Sequence, residues 1–433
     1  MNQTLVGVIG IVVLVLVFFT RMPVAYVMTL IGYLGFSYLR SGSAGLSLLA
    51  RDFYDVYSSY GLTIIPLFIF MGQIAFNAGI SRRLYDSAYK FVGAYRGGLA
   101  MATVCACTAF GAVCGSSPAT AATMATVGLP EMKRYGYGQE LAAGSVASGG
   151  GLGMLMPPSV VLIVYGILTE QSIGELFVAG IVPAVVMTFW FVLAVVAYCA
   201  LYPGQGPAGQ KFSWSIKLKS LIETSETVAV FVLVMGGLFT GVFTPTEAGG
   251  VGAASVILVA LLRRQLSWPG FVKSIYETLR TSCMVLLLVA GAVVFGHFLA
   301  VTRIPFNVAT WVGHLNLPGY GVIALIVLIY LIGGCFIDAL ALIMLTIPIF
   351  YPIVLDLGYD PIWFGVIIVL VTQMGVITPP VGINVYVVNG IDKDIALETI
   401  FKGVMPFLLA LIVGTGFMVA FPWIITWLPR LMY

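Results

Sequence analysis

Charge is scarce in this sequence: 9% of its 433 residues are Asp, Glu, Lys or Arg, where a soluble domain carries about 25%. With 60% apolar residues and a mean hydropathy of +1.07, that shortage excludes a soluble globule and leaves a polytopic membrane protein. Histidine occurs only twice, as His297 and His314, and neither sits at a helix break, which argues against metal ligation or a proton relay. The six cysteines lie inside apolar segments without metal-ligand spacing, so they read as small buried hydrophobes. The net charge of +3 is dispersed over many loops and forms no basic patch, which argues against nucleic acid as a partner. No Gly-x-x-x-x-Gly-Lys-Ser/Thr motif is present, which disfavours an ATP-driven pump.

What is abundant is apolar runs. Stretches of the roughly 17 to 25 residues that cross a hydrocarbon core occur near 4–20, 23–39, 61–78, 139–168, 176–201, 226–243, 246–262, 283–301, 362–390 and 403–428. No basic residue precedes Leu5–Phe19 and no small-x-small site follows it, so it reads as a first span rather than a signal peptide.

The chain also contains itself twice. Pro157-Pro158 recurs as Pro379-Pro380, an offset of 222 that also carries Pro23 onto Pro245, Gly111 onto Gly333, Pro130 onto Pro352 and Gly153 onto Gly375. A run of Gly and Pro holding one register implies a duplicated backbone design. The expected organisation is a first repeat over 1–203, a cytoplasmic linker over 204–225 and a second repeat over 226–433. By the positive-inside rule, 16 of the 20 basic residues, Arg21 among them, fall on one side, leaving Arg40, Arg51, Arg303 and Arg430 on the other. This places the amino terminus outside and gives each half an odd number of crossings. The repeat is therefore inverted, with the halves related by a pseudo-twofold axis in the membrane plane.

Two amphipathic segments are predicted to lie in the interface. Val272, Ile275, Tyr276 and Leu279 form a stripe within Pro269–Arg280, and Leu46, Leu49, Phe53 and Val56 form its mate against Arg51, Asp52 and Asp55. Thr244-Pro245-Thr246-Glu247 resembles a reactive cluster but has the spacing of a capping box.

Each half then carries a helical hairpin and a broken helix. Of the 27 residues from Met101 to Val127, 20 are Ala, Thr, Cys, Gly or Ser, a composition that close helix packing selects and lipid does not. Gly115-Ser116-Ser117-Pro118 breaks this segment, giving a hairpin over about 99–132, and its mate over about 320–353 breaks at Gly333 to Asp338. The broken helices span 139–168 and 362–390, interrupted at Pro157-Pro158 and Pro379-Pro380. Adjacent prolines remove two amide donors and leave free carbonyls facing a break. Such a break survives in a membrane only when it is buried or lines a wet cavity. One half-helix ends at the break with a partial negative charge suited to a cation, and the next begins with a partial positive charge suited to an anion.

At the same offset Ser116 corresponds to Asp338, so each hairpin tip presents an oxygen beside its half's break. An Asp at the centre of a span costs about 2.5 to 3.5 kcal/mol, which favours a function over an accident. Oxygen ligands without sulfur or imidazole suit a hard cation, and sodium fits best. Ser159, Tyr165, Asn384 and Tyr386 follow the breaks, where they either meet substrate or satisfy a neighbouring helix.

On Gly115–Thr120, Thr244–Gly250 and the two proline-pair motifs, the chain resembles the large membrane subunit of tripartite ATP-independent periplasmic (TRAP) transporters, within the wider ion transporter superfamily. That resemblance implies an all-α elevator fold, with hairpins and broken helices as the transport domain and the remaining spans as scaffold. It implies sodium held by Ser116, Ser117 and carbonyls near Gly115, Gly153 and Met156 in one site. In the other, the ligands would be Asp338, Thr378 and carbonyls near Gly334 and Gly375. It further implies a small organic acid delivered by a periplasmic substrate-binding protein, and a small four-helix membrane subunit, in the bacterial inner membrane. Neither partner is encoded here, so the chain is expected to be the unfused form. A self-sufficient sodium/carboxylate symporter is the nearest rival. An intramembrane enzyme is remote, because Ser116 has no histidine in its segment and Asp338 has no aspartate mate.

Overall fold

A computed structural model describes residues 2–18, 20, 22–314 and 318–432. Arg21, counted above on the cytoplasmic side, and the side chain of His314 lie outside that set. The described residues form helices and connecting turns with no strand. The first half contains α1 (Gln3–Phe18), α2 (Val24–Leu39), α3 (Gly42–Ser58), α4 (Ile64–Asn77), α5 (Ile80–Val92), α6 (Gly98–Cys114), α7 (Ser117–Arg134), α8 (Gln139–Gly151), α9 (Val160–Thr169) and α10 (Ile173–Leu201). The second contains α11 (Trp214–Phe239), α12 (Pro245–Leu262), α13 (Trp268–Thr302), α14 (Ile304–His314), α15 (Gly319–Gly334), α16 (Ala339–Asp356), α17 (Pro361–Gly375), α18 (Ile383–Ile391), α19 (Leu397–Ala420) and α20 (Trp423–Met432).

The duplication is visible in how these helices pack. α2 lies against α13 while the counterpart of α2, α12, lies against α4. The same exchange pairs α8 with α19 and α17 with α10, then α7 with α18 and α16 with α9. Each half thus completes the other, and the hairpins α6–α7 and α15–α16 sit beside broken helices drawn from both. Small residues set the tightest of these contacts: Cβ atoms on Gly144 or Gly403 would run into the backbone of the opposing helix where α8 crosses α19.

Local chemistry explains the helix starts. Thr244 and Glu247 form the expected capping box, with Thr244 N donating to Glu247 Oε2 at 2.8 Å and Glu247 N to Thr244 Oγ1 at 3.3 Å. Asp360 caps α17 by accepting from the amides of Ile362 and Trp363 at 2.8 and 3.1 Å, with Pro361 in the first turn. Among the described residues, seven helical segments are long and apolar enough to cross a membrane: Tyr60–Asn77, Ile173–Leu201, Trp214–Phe239, Pro245–Leu262, Trp268–Thr302, Ala339–Asp356 and Leu397–Ala420. α1 and α2, at 16 residues each, are shorter.

Four expectations change. The segment Pro269–Arg280 is not a separate interfacial helix, because α13 runs unbroken for 35 residues. No proline or glycine follows Gly270 until Gly291, and the Thr278 hydroxyl donates to Ser274 O at 2.6 Å within the helix. Its stripe of Val272, Ile275, Tyr276 and Leu279 remains exposed, while Ser274 packs inward and accepts from Asn77 Nδ2 at 2.9 Å. On α3, Asp52 faces inward rather than toward the polar side: it is 1% exposed and pairs with His297 Nδ1 at 2.7 Å. Pro422 divides the apolar run 403–428, so that α19 stops at Ala420 and α20 follows separately. The stretch 204–225 is irregular only to Ser213, after which α11 begins.

Replacing Gly403 with Val should force α19 away from α8. The expected result is a destabilisation of about 1 to 3 kcal/mol, read as a lower Tm of the detergent-solubilised protein. Gly416→Val, where a Cβ meets nothing within 4 Å, is the control and should leave Tm unchanged.

Candidate functional site

The first hairpin turns at Gly115 and Ser116, between α6 and α7. Gly115 has φ +64, a left-handed conformation that glycine adopts without strain, and a Cβ there would strike the Pro158 carbonyl oxygen. The tip is tied to the break by a hydrogen bond from Val160 N to Gly115 O at 3.3 Å. The second half repeats the arrangement, with Val381 N donating to Cys335 O at 3.2 Å. Behind each tip two glycines meet backbone to backbone. A Cβ on Gly111 would lie 2.8 Å from Gly153 Cα, and one on Gly334 would lie 3.1 Å from Gly375 Cα. Each hairpin tip therefore rests on the proline break of its own half, where an amide that follows the break satisfies a carbonyl of the tip.

Ser116, Ser117 and Asp338 line one cavity of about 290 Å³, together with Gln73 from α4 and Thr281 from α13. Asp338 caps α16, accepting from Leu340 N at 3.1 Å, so part of its acceptor capacity remains for a ligand. The Ser117 hydroxyl lies 3.0 Å from Asn384 Oδ1. Hydroxyl, carboxylate and carbonyl oxygens in one pocket are the donor set of a hard cation.

Gly115 lines this cavity too, and the other residues singled out from the sequence are distributed around it. Gly153, Gly334 and Gly375 form the glycine contacts behind the tips, Met156 is half-buried at the first break, and Thr378 donates to Met374 O at 2.6 Å. Pro157 and Pro158 are buried, whereas Pro379 and Pro380 are exposed. None of the four candidates for substrate contact lines the cavity. Ser159 caps α9 and donates to Met154 O. Tyr165 is fully buried and donates to Pro361 O at 2.6 Å. Asn384 is fully buried among hydrogen-bond partners, and Tyr386 is 48% exposed on the far side of α18 from Asn384 and Val388. Sequence reasoning missed Gln73 and Thr281. The signal available for Gln73 was an amide inside the mostly apolar run Ile64–Asn77.

With this geometry in hand, comparison with known proteins decides the family. The sequence model described as "Tripartite ATP-independent periplasmic transporter, DctM component" matches residues 11–424. The chain belongs to the DctM family. It is 37% identical over 366 residues to the C4-dicarboxylate TRAP transporter large permease protein DctM of Pseudomonas aeruginosa, covering 84% of this chain and 85% of that one. It is 31% identical to the sialic acid TRAP transporter large permease protein SiaM of Vibrio cholerae, covering 95% and 96%. To the isethionate TRAP transporter permease protein DctMQ of Oleidesulfovibrio alaskensis it is 34% identical, covering 88% of this chain but 60% of that one. Among solved structures, the YdaH transporter of Alcanivorax borkumensis shares the fold, with a TM-score of 0.65 at 14% identity over 98% of this chain and all of that one. MtrF of Neisseria gonorrhoeae shares it at a TM-score of 0.54, with 14% identity and coverage of 90% and 85%. This DctM-family chain is thus an all-helical TRAP transporter membrane permease.

A pair of glycine substitutions separates backbone strain from contact with the break. Gly115→Ala meets both a left-handed φ and the Pro158 carbonyl, whereas Gly136→Ala meets a φ of +72 with nothing within 4 Å. Gly115→Ala is expected to abolish transport at normal membrane abundance, and Gly136→Ala to retain it. Equal uptake by the two variants would show that the tip contact is dispensable.

Proposed function

We propose that this chain is the sodium-coupled large subunit of a TRAP transporter, importing a small organic acid across the bacterial inner membrane. The observation that carries the reading is the meeting of Ser116, Ser117 and Asp338, from opposite halves, on one cavity. The named cargo of the similar proteins supports an organic acid, since C4-dicarboxylates, sialic acid and isethionate are all anions. A periplasmic binding protein delivers the substrate, and a small four-helix membrane subunit completes the scaffold. The amino terminus faces the periplasm.

Electrostatics gives the reason for coupling. Carrying a dianion inward against an inside-negative potential costs about 4.6 kcal/mol per 100 mV, from about 2.3 kcal/mol per elementary charge. Two cations, one at each hairpin tip, cancel that charge. The hairpins and broken helices, packed through glycine contacts, move as one block past α2, α4, α12 and α13, which pack on one another. That is an elevator motion.

Proteoliposome uptake tests the assembly. Uptake should require a sodium gradient, the binding protein and the small subunit together, and uptake by this chain alone would remove the tripartite reading. Asp338→Asn should raise the half-saturating sodium concentration at least tenfold while leaving membrane insertion intact. An unchanged sodium dependence would eliminate Asp338 as a ligand.

A further inference from the structure

The second broken helix reaches into the first half's site through one side chain. Asn384, on α18 just after the Pro379-Pro380 break, is fully buried, and its Nδ2 donates to Ser117 Oγ and to Ala147 O, both at 2.8 Å. Ser117 opens α7 at the tip of the first hairpin, and Ala147 lies on α8, the half-helix that leads to the first break. Asn384 therefore touches both elements that frame the first site. Its own backbone belongs to the frame of the second: Asn384 N donates to Val376 O at 3.0 Å across the proline pair, and Val381 N holds the second hairpin tip at Cys335 O.

This bridge is built once only. At the offset of 222 the mate of Asn384 is Leu162 and the mate of Ser117 is Ala339, so the symmetric position has neither donor nor acceptor in its side chains. Removing the buried amide would leave its partners unpaired, so the three groups hold one another's geometry. The two breaks also differ in exposure, with Pro379 and Pro380 exposed where Pro157 and Pro158 are buried. An ion that orders the second break fixes the position of Asn384, and Asn384 in turn fixes the Ser117 hydroxyl.

We propose that Asn384 is a positioning residue that couples the two cation sites, so that occupancy of the Asp338 site raises the affinity of the Ser116–Ser117 site. The inference rests on the sodium reading above. Linkage makes the coupling reciprocal.

The test is a sodium titration of initial uptake by the complete transporter in proteoliposomes. The wild type should give a sigmoidal curve steeper than two independent sites that must both fill would produce. Asn384→Leu, which installs the side chain of its mate, should lower the Hill coefficient to that independent-site value and raise half-saturating sodium about fivefold, the lower end of typical coupling. The substrate KM at saturating sodium should stay unchanged, which a merely structural role would not predict. Asn384→Ser, too short to reach both partners, should behave alike. Should both variants lose uptake, sodium-dependent thermal stabilisation of the purified protein reads the same coupling, and must fall to the independent-site form. A wild-type curve no steeper than independent sites produce, or a steeper one that Asn384→Leu leaves unchanged, overturns the coupling. Sodium-independent uptake by the wild type overturns the sodium reading itself.

Discussion

Backbone polar groups without partners cannot face lipid, and the structure meets that constraint by joining a hairpin tip to a helix break at two places. Pro157-Pro158, which is buried, and Pro379-Pro380, which is exposed, each interrupt a helix within an apolar run. A hairpin from the same half closes against each interruption, through Val160 N to Gly115 O in one and Val381 N to Cys335 O in the other. Without the hairpins the amides of Val160 and Val381 would lose these partners. Without the breaks the hairpin tips would have nothing polar to meet.

The closeness of that fit depends on absent side chains. Gly111 against Gly153 and Gly334 against Gly375 bring backbones to a separation at which no Cβ fits, and the same holds where Gly144 meets Gly403 across the halves. Such contacts are rigid, because neither side can yield without moving a whole helix. They make one body of the hairpins and broken helices, and they hold the oxygen atoms of Ser116, Ser117 and Asp338 at a common cavity. Asn384 adds a single polar tie within that body, at a position the repeat does not duplicate.

Much of this was legible in the sequence. A repeat of 222 residues, a block of small residues and two proline pairs are local facts, and each has one strong structural consequence. Where the reading failed, the cause was non-local. Asp52 reads as part of a polar stripe until His297, 245 residues away, is placed beside it. For Tyr165 and Asn384 the sequence leaves two roles open, substrate contact or a bond to a neighbouring helix, and the structure shows Tyr165 bonded to Pro361 O and Asn384 to Ser117 and Ala147. Periodicity in Pro269–Arg280 gave the right stripe, but nothing in that stripe shows whether the helix continues into the next span.

The sequence by itself determined that the chain lives in a membrane, that its halves share one design and where each helix must break, because hydropathy, register and proline stereochemistry act over a few residues at a time. Only the tertiary structure decided which oxygens face the same cavity and which polar groups are already paired. Those outcomes depend on the exchange of helices between halves, which brings Ser117 to Asn384 across 267 positions of chain and Ser116 into one cavity with Asp338.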